Sequence, residues 1–281
     1  MKFKYSITVT LVLMLLWGCD SEKSLGESRL DTETPPLTAL DIWIREQYIN
    51  PYNIDVLYKW NDNEIDNGRY LYPPTLENIQ PLMEVVKYIW IDSYNELGGG
   101  DFIKKIAPRQ YVLVGGYNVN PGGTITLGIA DSGMKITLFN VDYLDLDDRE
   151  TMREFFHTIQ HEYCHILNQT RPFSPDYDKV TPSGYIGNWT DYNDFEAREE
   201  GFISAYSRAN SFEDFAEMTS ALLTYSAEEY QDILDSIESE ESVRLIKQKE
   251  AIVADYYLKE WDIDIYELQA LNYQKLVELT N

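Results

Sequence analysis

The sequence predicts an α+β fold in which a small, mostly antiparallel sheet packs on one long helix and precedes a helical C-terminal lobe. Three observations support this prediction. Residues 110–144 contain β-rich runs separated by Asn, Pro and Gly, as in a small sheet. The segment 148–169 opens with acidic residues and continues as one helical pattern. From Phe195 onward the pattern is helical, with little Gly or Pro to interrupt it.

The N-terminal residues predict export and lipid attachment. An apolar stretch from Ile7 to Trp17, preceded by two lysines, is too short to span a bilayer and is typical of a signal peptide over residues 1–18. Its end, Leu-Trp-Gly-Cys19, resembles a bacterial lipobox, in which the cysteine becomes the lipidated N-terminus. Trp17 replaces the usual small residue, so an ordinary signal peptide with a coincidental cysteine is the alternative. Residues 19–36 are polar and charged, which predicts a flexible lipidated tether.

The rest of the chain predicts one folded domain over residues 37–281. Its N-terminal lobe is expected at 37–169, with the sheet and the long helix, and its helical C-terminal lobe at 193–281. An apolar content of 44 % supports a core of that size. The chain has only two cysteines, so no disulfide framework is available. The net charge of −25 argues against nucleic acid as a partner.

The elements follow one another in a simple order along the chain. Helical spacing predicts helices near 37–48 and 75–97, the second ended by three glycines. An extended segment lies between them. The strands are expected in the runs that begin at Gln110, Gly123 and Met134. A long loop, residues 170–192, follows the long helix, and loops of that length are usually functional or disordered.

The chemistry concentrates in the long predicted helix. All three histidines of the chain lie between His157 and His165, and His161-Glu162-x-x-His165 has the His-Glu-x-x-His spacing of zinc hydrolases. At about 100° per residue, the two imidazoles share one helix face and the carboxylate lies beside them. Two histidines can therefore bind one Zn²⁺ while Glu162 faces a water molecule.

His157 offers a rival pair with His161, one turn earlier on the same helix. The three histidines cannot bind one ion together, since His157 and His165 lie about 12 Å apart along a straight helix. Only the pair of His161 and His165 has a glutamate beside its first histidine. We therefore expect His157 to be a neighbour that packs or forms hydrogen bonds, and Cys164 to be a small core residue.

A third zinc ligand must be a carboxylate, because no histidine is left. Ser211 suits a helix N-cap, which places Glu213 and Glu217 one turn apart on one helix face. Glu213 is the preferred ligand, and Glu217 is expected to orient a ligand histidine from behind. An acidic first helical turn without metal is the plainer interpretation. The other carboxylates that compete for this role are Glu196, Glu199, Glu200 and Asp214.

Three segments together resemble a known family: Phe156-His-Thr-Ile-Gln-His-Glu-Tyr-Cys-His-Ile-Leu167, Gly201-Phe-Ile-Ser-Ala-Tyr206 and Glu213-Asp-Phe-Ala-Glu217. The family is that of the zinc-binding metallopeptidase lipoproteins of Bacteroidota, also described as substrate-import-associated zinc metallohydrolases. The resemblance spans roughly residues 38–280. It implies a zincin-like fold with a glutamate ligand, and an outer-membrane lipoprotein, on the cell surface or the periplasmic face, that works with nutrient-uptake complexes.

A more distant similarity is to the catalytic domain of anthrax lethal factor, where a tyrosine seven residues before the glutamate ligand faces the metal. Tyr206 has that position relative to Glu213. The similarity implies that Tyr206 donates a hydrogen bond to the developing oxyanion.

Motif and resemblance together predict a zinc metallopeptidase with one Zn²⁺ per chain. Glu162 is expected to be the general base that activates water against a peptide or protein substrate. The alternative is a non-catalytic accessory lipoprotein that binds a peptide, a glycan or an uptake partner and holds a structural or vestigial zinc.

Overall fold

The computed structural model describes residues 36–66, 68–131 and 134–281. The predicted signal peptide, Cys19 and the tether as far as residue 35 lie outside the described residues. Residues Ala39–Asn281 form one compact unit, and the division of this region into two lobes stays a prediction. Within the described part of the chain, no helix is both long and apolar enough to cross a bilayer.

The main sheet has four short strands in the order β1-β2-β6-β5. Its strands are β1 (Asp55–Leu57), β2 (Gln110–Leu113), β5 (Gly128–Asp131) and β6 (Lys135–Leu138). The pairs β1–β2 and β2–β6 are parallel, whereas β5 runs antiparallel to β6 at one edge. A separate antiparallel hairpin joins β3 (Asn118–Val119) to β4 (Ile125–Thr126).

The prediction of a mostly antiparallel sheet is wrong for this four-stranded sheet, because two of its three pairings are parallel. Parallel neighbours need a long crossover, and the chain between β1 and β2 supplies one that contains helices. The Gly-rich and Asn-rich segment after β2 does make a hairpin, but that hairpin stands apart from the main sheet.

The predicted helices near 37–48 and 75–97 are confirmed, and each contains a π-helical turn. The helices of this half are α1 (Ala39–Ile44), α2 (Asn50–Tyr52), α3 (Leu76–Val86), α4 (Asp92–Leu97) and α5 (Phe102–Ile106). The turn Arg45–Ile49 joins α1 to α2, and the turn Lys87–Ile91 joins α3 to α4.

The second half of the chain is helical apart from its connecting loops. Its helices are α6 (Arg149–Thr170), α7 (Asp194–Arg198), α8 (Ser211–Thr224), α9 (Ala227–Asp235), α10 (Glu240–Trp261) and α11 (Ile265–Leu279). The loop between α6 and α7 contains short 3₁₀ turns at Tyr177–Lys179 and Trp189–Asp191, and a third turn, Tyr206–Arg208, precedes α8. The prediction of a long helix near 148–169 is confirmed by α6.

Side-chain caps fix where the two central helices begin. The Asp148 carboxylate accepts a hydrogen bond from the Thr151 amide at 2.8 Å at the start of α6. At the start of α8, the Asn210 side chain accepts from the amides of Phe212 and Glu213. The N-cap of α8 is therefore Asn210 and not Ser211, because Asn210 is the residue with extended backbone dihedral angles.

The core lies on both sides of α6. On one side, the rings of Trp90, Tyr94 and Tyr111 surround Tyr163 of α6, with edge-to-face contacts of Trp90 and Tyr94 to Tyr163 at 4.9 and 5.0 Å. On the other side α6 packs against α8, which is buried from Asp214 to Thr224. Because α6 is enclosed by packing, its remaining face can hold polar groups in fixed positions.

Candidate metal centre

Two neighbouring helices form the centre of the site. α6 presents His157, His161 and His165 on successive turns, and α8 presents Glu213 and Glu217 opposite them. The structure thus brings together the two histidines of the motif and the glutamate that spacing favoured as the third ligand. It also brings together His157 and Glu217, the two residues that were expected to lie behind the ligands.

Three donor atoms form a nearly equilateral triangle. His161 Nε2 lies 3.0 Å from Glu213 Oε2 and 3.1 Å from His165 Nε2, and His165 Nε2 lies 3.2 Å from Glu213 Oε2. Zn–N and Zn–O bonds of about 2.0–2.2 Å in a tetrahedron separate neighbouring ligand atoms by about 3.3–3.6 Å. Two imidazole nitrogens and a carboxylate oxygen at these separations fit the donor set of a zinc site.

A second group of metal-ligating side chains shares His161. Glu217 Oε1 lies 2.8 Å from His161 Nδ1 and 3.0 Å from His157 Nε2. The donor atoms of these three residues are close enough together to hold a metal ion as well. The two groups use opposite nitrogens of the His161 ring. With Nε2 facing Glu213 and His165, the Nδ1–H group is left to donate a hydrogen bond to Glu217.

Charge in the site favours a bound cation. Burial opposes a charge on His161, but the carboxylates of Glu213 and Glu217 outweigh it and raise the pKa of His161 to about 10. Burial would raise the pKa of Glu213 and of Glu217, yet hydrogen bonds and charge from the histidines hold both pKa values below the usual range. Two carboxylates therefore face the His161 ring, one at each nitrogen, and this negative charge suits a divalent cation.

Glu162 lines a cleft of about 420 Å³ together with His157, His161 and Glu217, and it is only 8 % exposed. One wall of the cleft is helical. The opposite wall is formed by β5 and by the chain that leads into it, residues 124–128. A methyl group on Gly128 would lie 2.4 Å from Thr158 Cγ2 and 3.6 Å from Glu162 Oε1, so the missing side chain of Gly128 lets β5 approach the carboxylate.

Tyr206 closes one end of the cleft. Its ring stacks on His161 with the ring centroids 5.7 Å apart, and the Trp189 ring covers it at 4.8 Å. Burial and the nearby Glu213 carboxylate raise the pKa of Tyr206 well above its usual value. The phenol therefore keeps its proton at neutral pH and is a hydrogen-bond donor at the mouth of the site.

The competing carboxylates lie elsewhere. Glu196 caps the start of α7 by accepting from the Asn193 amide, and Glu199 accepts from the amides of Glu238 and Ser239. Glu200 is exposed to solvent. Asp214 is fully buried beside Lys249, on another side of α8 from Glu213.

Two serines complete the hydrogen bonding behind the histidines. Ser204 Oγ donates to Glu217 Oε2 at 2.6 Å, and Ser220 Oγ lies 3.1 Å from His157 Nε2. Sequence reasoning missed both serines, because a serine carries no spacing signal of its own. Ser204 lies in the turn before α8 and Ser220 within α8, and both reach the site only through the packing of these segments against α6.

Cys164 lies within the motif but faces the core. It is completely buried, its Sγ lies 3.5 Å from Thr219 Oγ1, and burial raises the pKa of the thiol to about 12. The expectation of a small core residue agrees with this position.

Comparisons with known proteins agree with the site. Residues 33–266 match the profile of the family described as "Putative zinc-binding metallo-peptidase". A crystal structure at 2.10 Å of a protein with the same description, from Bacteroides caccae ATCC 43185, is similar over 85 % of this chain and 92 % of that chain. Its sequence identity to this chain is 32 % and the TM-score is 0.73. A search of curated proteins found no significant match. The family profile covers most of the chain, and the chain therefore belongs to this family of zinc-binding metallo-peptidases.

Proposed function

We propose that this protein is a zinc-dependent hydrolase of peptide bonds, with Zn²⁺ held by His161 Nε2, His165 Nε2 and Glu213 Oε2. The observation that carries the proposal is the triangle of these three atoms, because one of its residues, His161, lines the same cleft as Glu162. Three protein ligands leave one position for water or substrate, as in catalytic zinc sites, whereas structural sites have four protein ligands.

When bound there, zinc supplies Lewis acidity, which lowers the pKa of water and polarises a carbonyl group. Glu217 keeps the His161 ring in the orientation that turns Nε2 toward the other ligands, because its carboxylate accepts a hydrogen bond from Nδ1–H. Ser204 fixes the second oxygen of Glu217. His157 contacts the same carboxylate and stays outside the proposed ligand set.

Glu162 is the proposed general base. Its carboxylate takes a proton from the attacking water molecule and then delivers it to the nitrogen of the leaving amine. The close approach of β5 at Gly128 shields this carboxylate from bulk water, which strengthens its interaction with a charged transition state. The Tyr206 hydroxyl is the proposed donor to the developing oxyanion, since it keeps its proton at the cleft mouth.

The sheet edge favours a peptide as substrate. In the described residues β5 pairs with β6 on one side, and it is the edge strand of the sheet. An edge strand offers backbone N–H and C=O groups to which an extended peptide can add as a further strand. Because Gly128 of β5 lies next to Glu162, a peptide aligned on this edge would pass the proposed base.

The proposal is tested by zinc content and peptide cleavage on the same samples. Residues 24–281 would be purified as wild type, Glu213→Ala and, as a matched control, Glu200→Ala, which removes an exposed carboxylate. We expect one zinc per chain and cleavage of a mixed peptide library by wild type and control. Glu213→Ala should lose both.

Each other outcome is informative. Zinc that survives Glu213→Ala would move the third ligand to another carboxylate. Zinc without cleavage of any peptide would favour the accessory binding protein, and wild-type protein without zinc would refute the metalloenzyme. Chelation should abolish cleavage and leave the far-UV circular dichroism unchanged, because the core around Tyr163 does not include the metal ligands.

We also propose that Cys19 carries a lipid anchor on the outer membrane and that the protein works beside a nutrient-uptake complex. The support is the lipobox-like sequence and the family resemblance. Full-length protein should partition into the membrane fraction, and Cys19→Ser should release or misprocess it. Equal membrane retention of both would contradict the lipid anchor.

A further inference from the structure

The structure contains a buried ion pair that the proposed reaction does not use. Lys249 of α10 and Asp214 of α8 are both 0 % exposed, and Lys249 Nζ lies 2.6 Å from Asp214 Oδ2. Asp214 directly follows Glu213, so the pair is attached to the same helical turn as the proposed zinc ligand. Withdrawing two charges from water opposes folding, so the burial of this pair is weak evidence for a role in stability.

Directional hydrogen bonds link the pair to the segments that line the site. Lys249 Nζ also donates to the Gly201 carbonyl at 2.9 Å. Asp214 Oδ2 accepts from the Tyr185 hydroxyl at 3.0 Å, and the Asp214 carbonyl accepts from Tyr177 at 3.0 Å. The pair therefore holds three separate pieces of chain against α8: α10, the turn at Gly201 and the loop after α6.

Those pieces carry the groups around the proposed metal. The turn at Gly201 leads in three residues to Ser204, which donates to Glu217, and in five residues to Tyr206. The loop that carries Tyr185 also carries Trp189, whose ring covers Tyr206. A shift of α8 or of the turn would change the position of Glu213 together with these groups.

We propose that Lys249 is a positioning residue, which acts through Asp214 to fix Glu213 and the Ser204–Tyr206 turn relative to the histidines of α6. This inference rests on the proposed zinc site. An apolar pair of similar volume could fill the same space and give equal or greater stability. It would lack the directional bonds to Gly201 and Tyr185, so it would fill the core without fixing the site.

The decisive variant is the double substitution Asp214→Leu/Lys249→Met in residues 24–281. We expect the melting temperature of the metal-free double variant to lie within a few degrees of wild type. We expect its zinc dissociation constant, measured by competition with a chromophoric chelator, to rise about 10- to 100-fold, as for other groups that orient metal ligands. The visible spectrum of the cobalt-substituted protein should change as well, since it reports ligand geometry.

Lys275→Met is the matched control, because Lys275 is another buried lysine, located on α11 with Glu96 3.8 Å away. Its zinc affinity and cobalt spectrum should equal those of wild type. If the double variant also keeps both, or if the control loses both, the inference is overturned. Wild-type protein that binds no zinc would instead refute the proposed function.

If the double variant does not fold, Tyr185→Phe tests the inference instead. This substitution removes one hydrogen bond to Asp214 and keeps the ion pair. We expect a few-fold weaker zinc affinity and an altered cobalt spectrum. If the double variant is unfolded and Tyr185→Phe leaves both properties at wild-type values, the inference is overturned.

Discussion

The two walls of the cleft are built from different chemistry. The helical wall, α6 with α8, carries every imidazole and carboxylate of the site, and each of its proposed ligands contacts at least one other side chain. The strand wall, residues 124–128 with Asn120 beside them, lines the cleft with no charged group, only backbone and the side chains of Asn, Thr, Ile and Leu. The difference leads us to expect that substitutions on the helical wall change mainly kcat and that substitutions on the strand wall change mainly KM.

The largest expected effect lies on the helical wall. Glu162→Gln keeps the shape of the side chain but removes the base, so kcat should fall about 10²- to 10⁴-fold. Zinc content should stay at the wild-type value, because Glu162 is not among the proposed ligands. The measurement is peptide turnover with zinc analysis on the same sample. Turnover at the wild-type rate would show that the base lies elsewhere.

The next largest effect is expected at Glu217, which contacts the proposed zinc ligand His161 from behind. Glu217→Gln removes the charge that faces His161 Nδ1, and an amide can satisfy Ser204 and two imidazoles less well. We expect the zinc dissociation constant to rise about 10- to 100-fold. Competition with a chelator measures it, and Glu228→Gln, an exposed glutamate of α9, is the control. Unchanged affinity would assign Glu217 to packing alone.

A third substitution tests the contact between the walls. Gly128→Ala places a methyl group 2.4 Å from Thr158 Cγ2, so β5 or α6 must shift, at a cost of about 1–3 kcal/mol for overpacking. We expect kcat/KM to fall about tenfold, the ratio that corresponds to 1.4 kcal/mol. Adding Thr158→Ala removes the clashing methyl and should restore most of the loss. Additive losses in the double variant would show that the walls do not depend on this contact.

The smallest effect is expected on the strand wall. Ile125→Val shortens a side chain of the cleft lining by one methylene unit, which corresponds to about 0.8 kcal/mol, or a fourfold rise in KM, with kcat unchanged. Ile42→Val makes the same change at an exposed isoleucine of α1 and should alter neither constant. A fall in kcat for Ile125→Val would contradict the separation of the two walls.

Local spacing predicts which residues of the candidate site share a helix face. The i, i+4 relation between His161 and His165 and between Glu213 and Glu217 is set by helix geometry, so the residues that share a face follow from the sequence. The contact of His157 with Glu217 agrees with the expectation that both stand behind the ligands. These roles themselves stay predictions until zinc is measured.

The features that sequence reasoning missed depend on distant parts of the chain. The direction of β1 relative to β2 depends on how the intervening helices cross the sheet, which no short pattern encodes. Lys249 lies 35 residues after Asp214, and its pairing follows from how α10 packs against α8. Ser204 reaches Glu217 from an irregular turn that the helical pattern after Phe195 did not predict.

Because Cys164 is buried, the reactivity of its thiol can report how often the helices around it separate. A soluble form that starts after Cys19 contains this one thiol, in the helix between Glu162 and His165 and at the contact with Thr219 of α8. A thiol reagent can react only when α6 and α8 separate, so the labelling rate measures how often the centre comes apart. A cation that joins the two helices would slow that rate, and the slowing can be followed without any substrate.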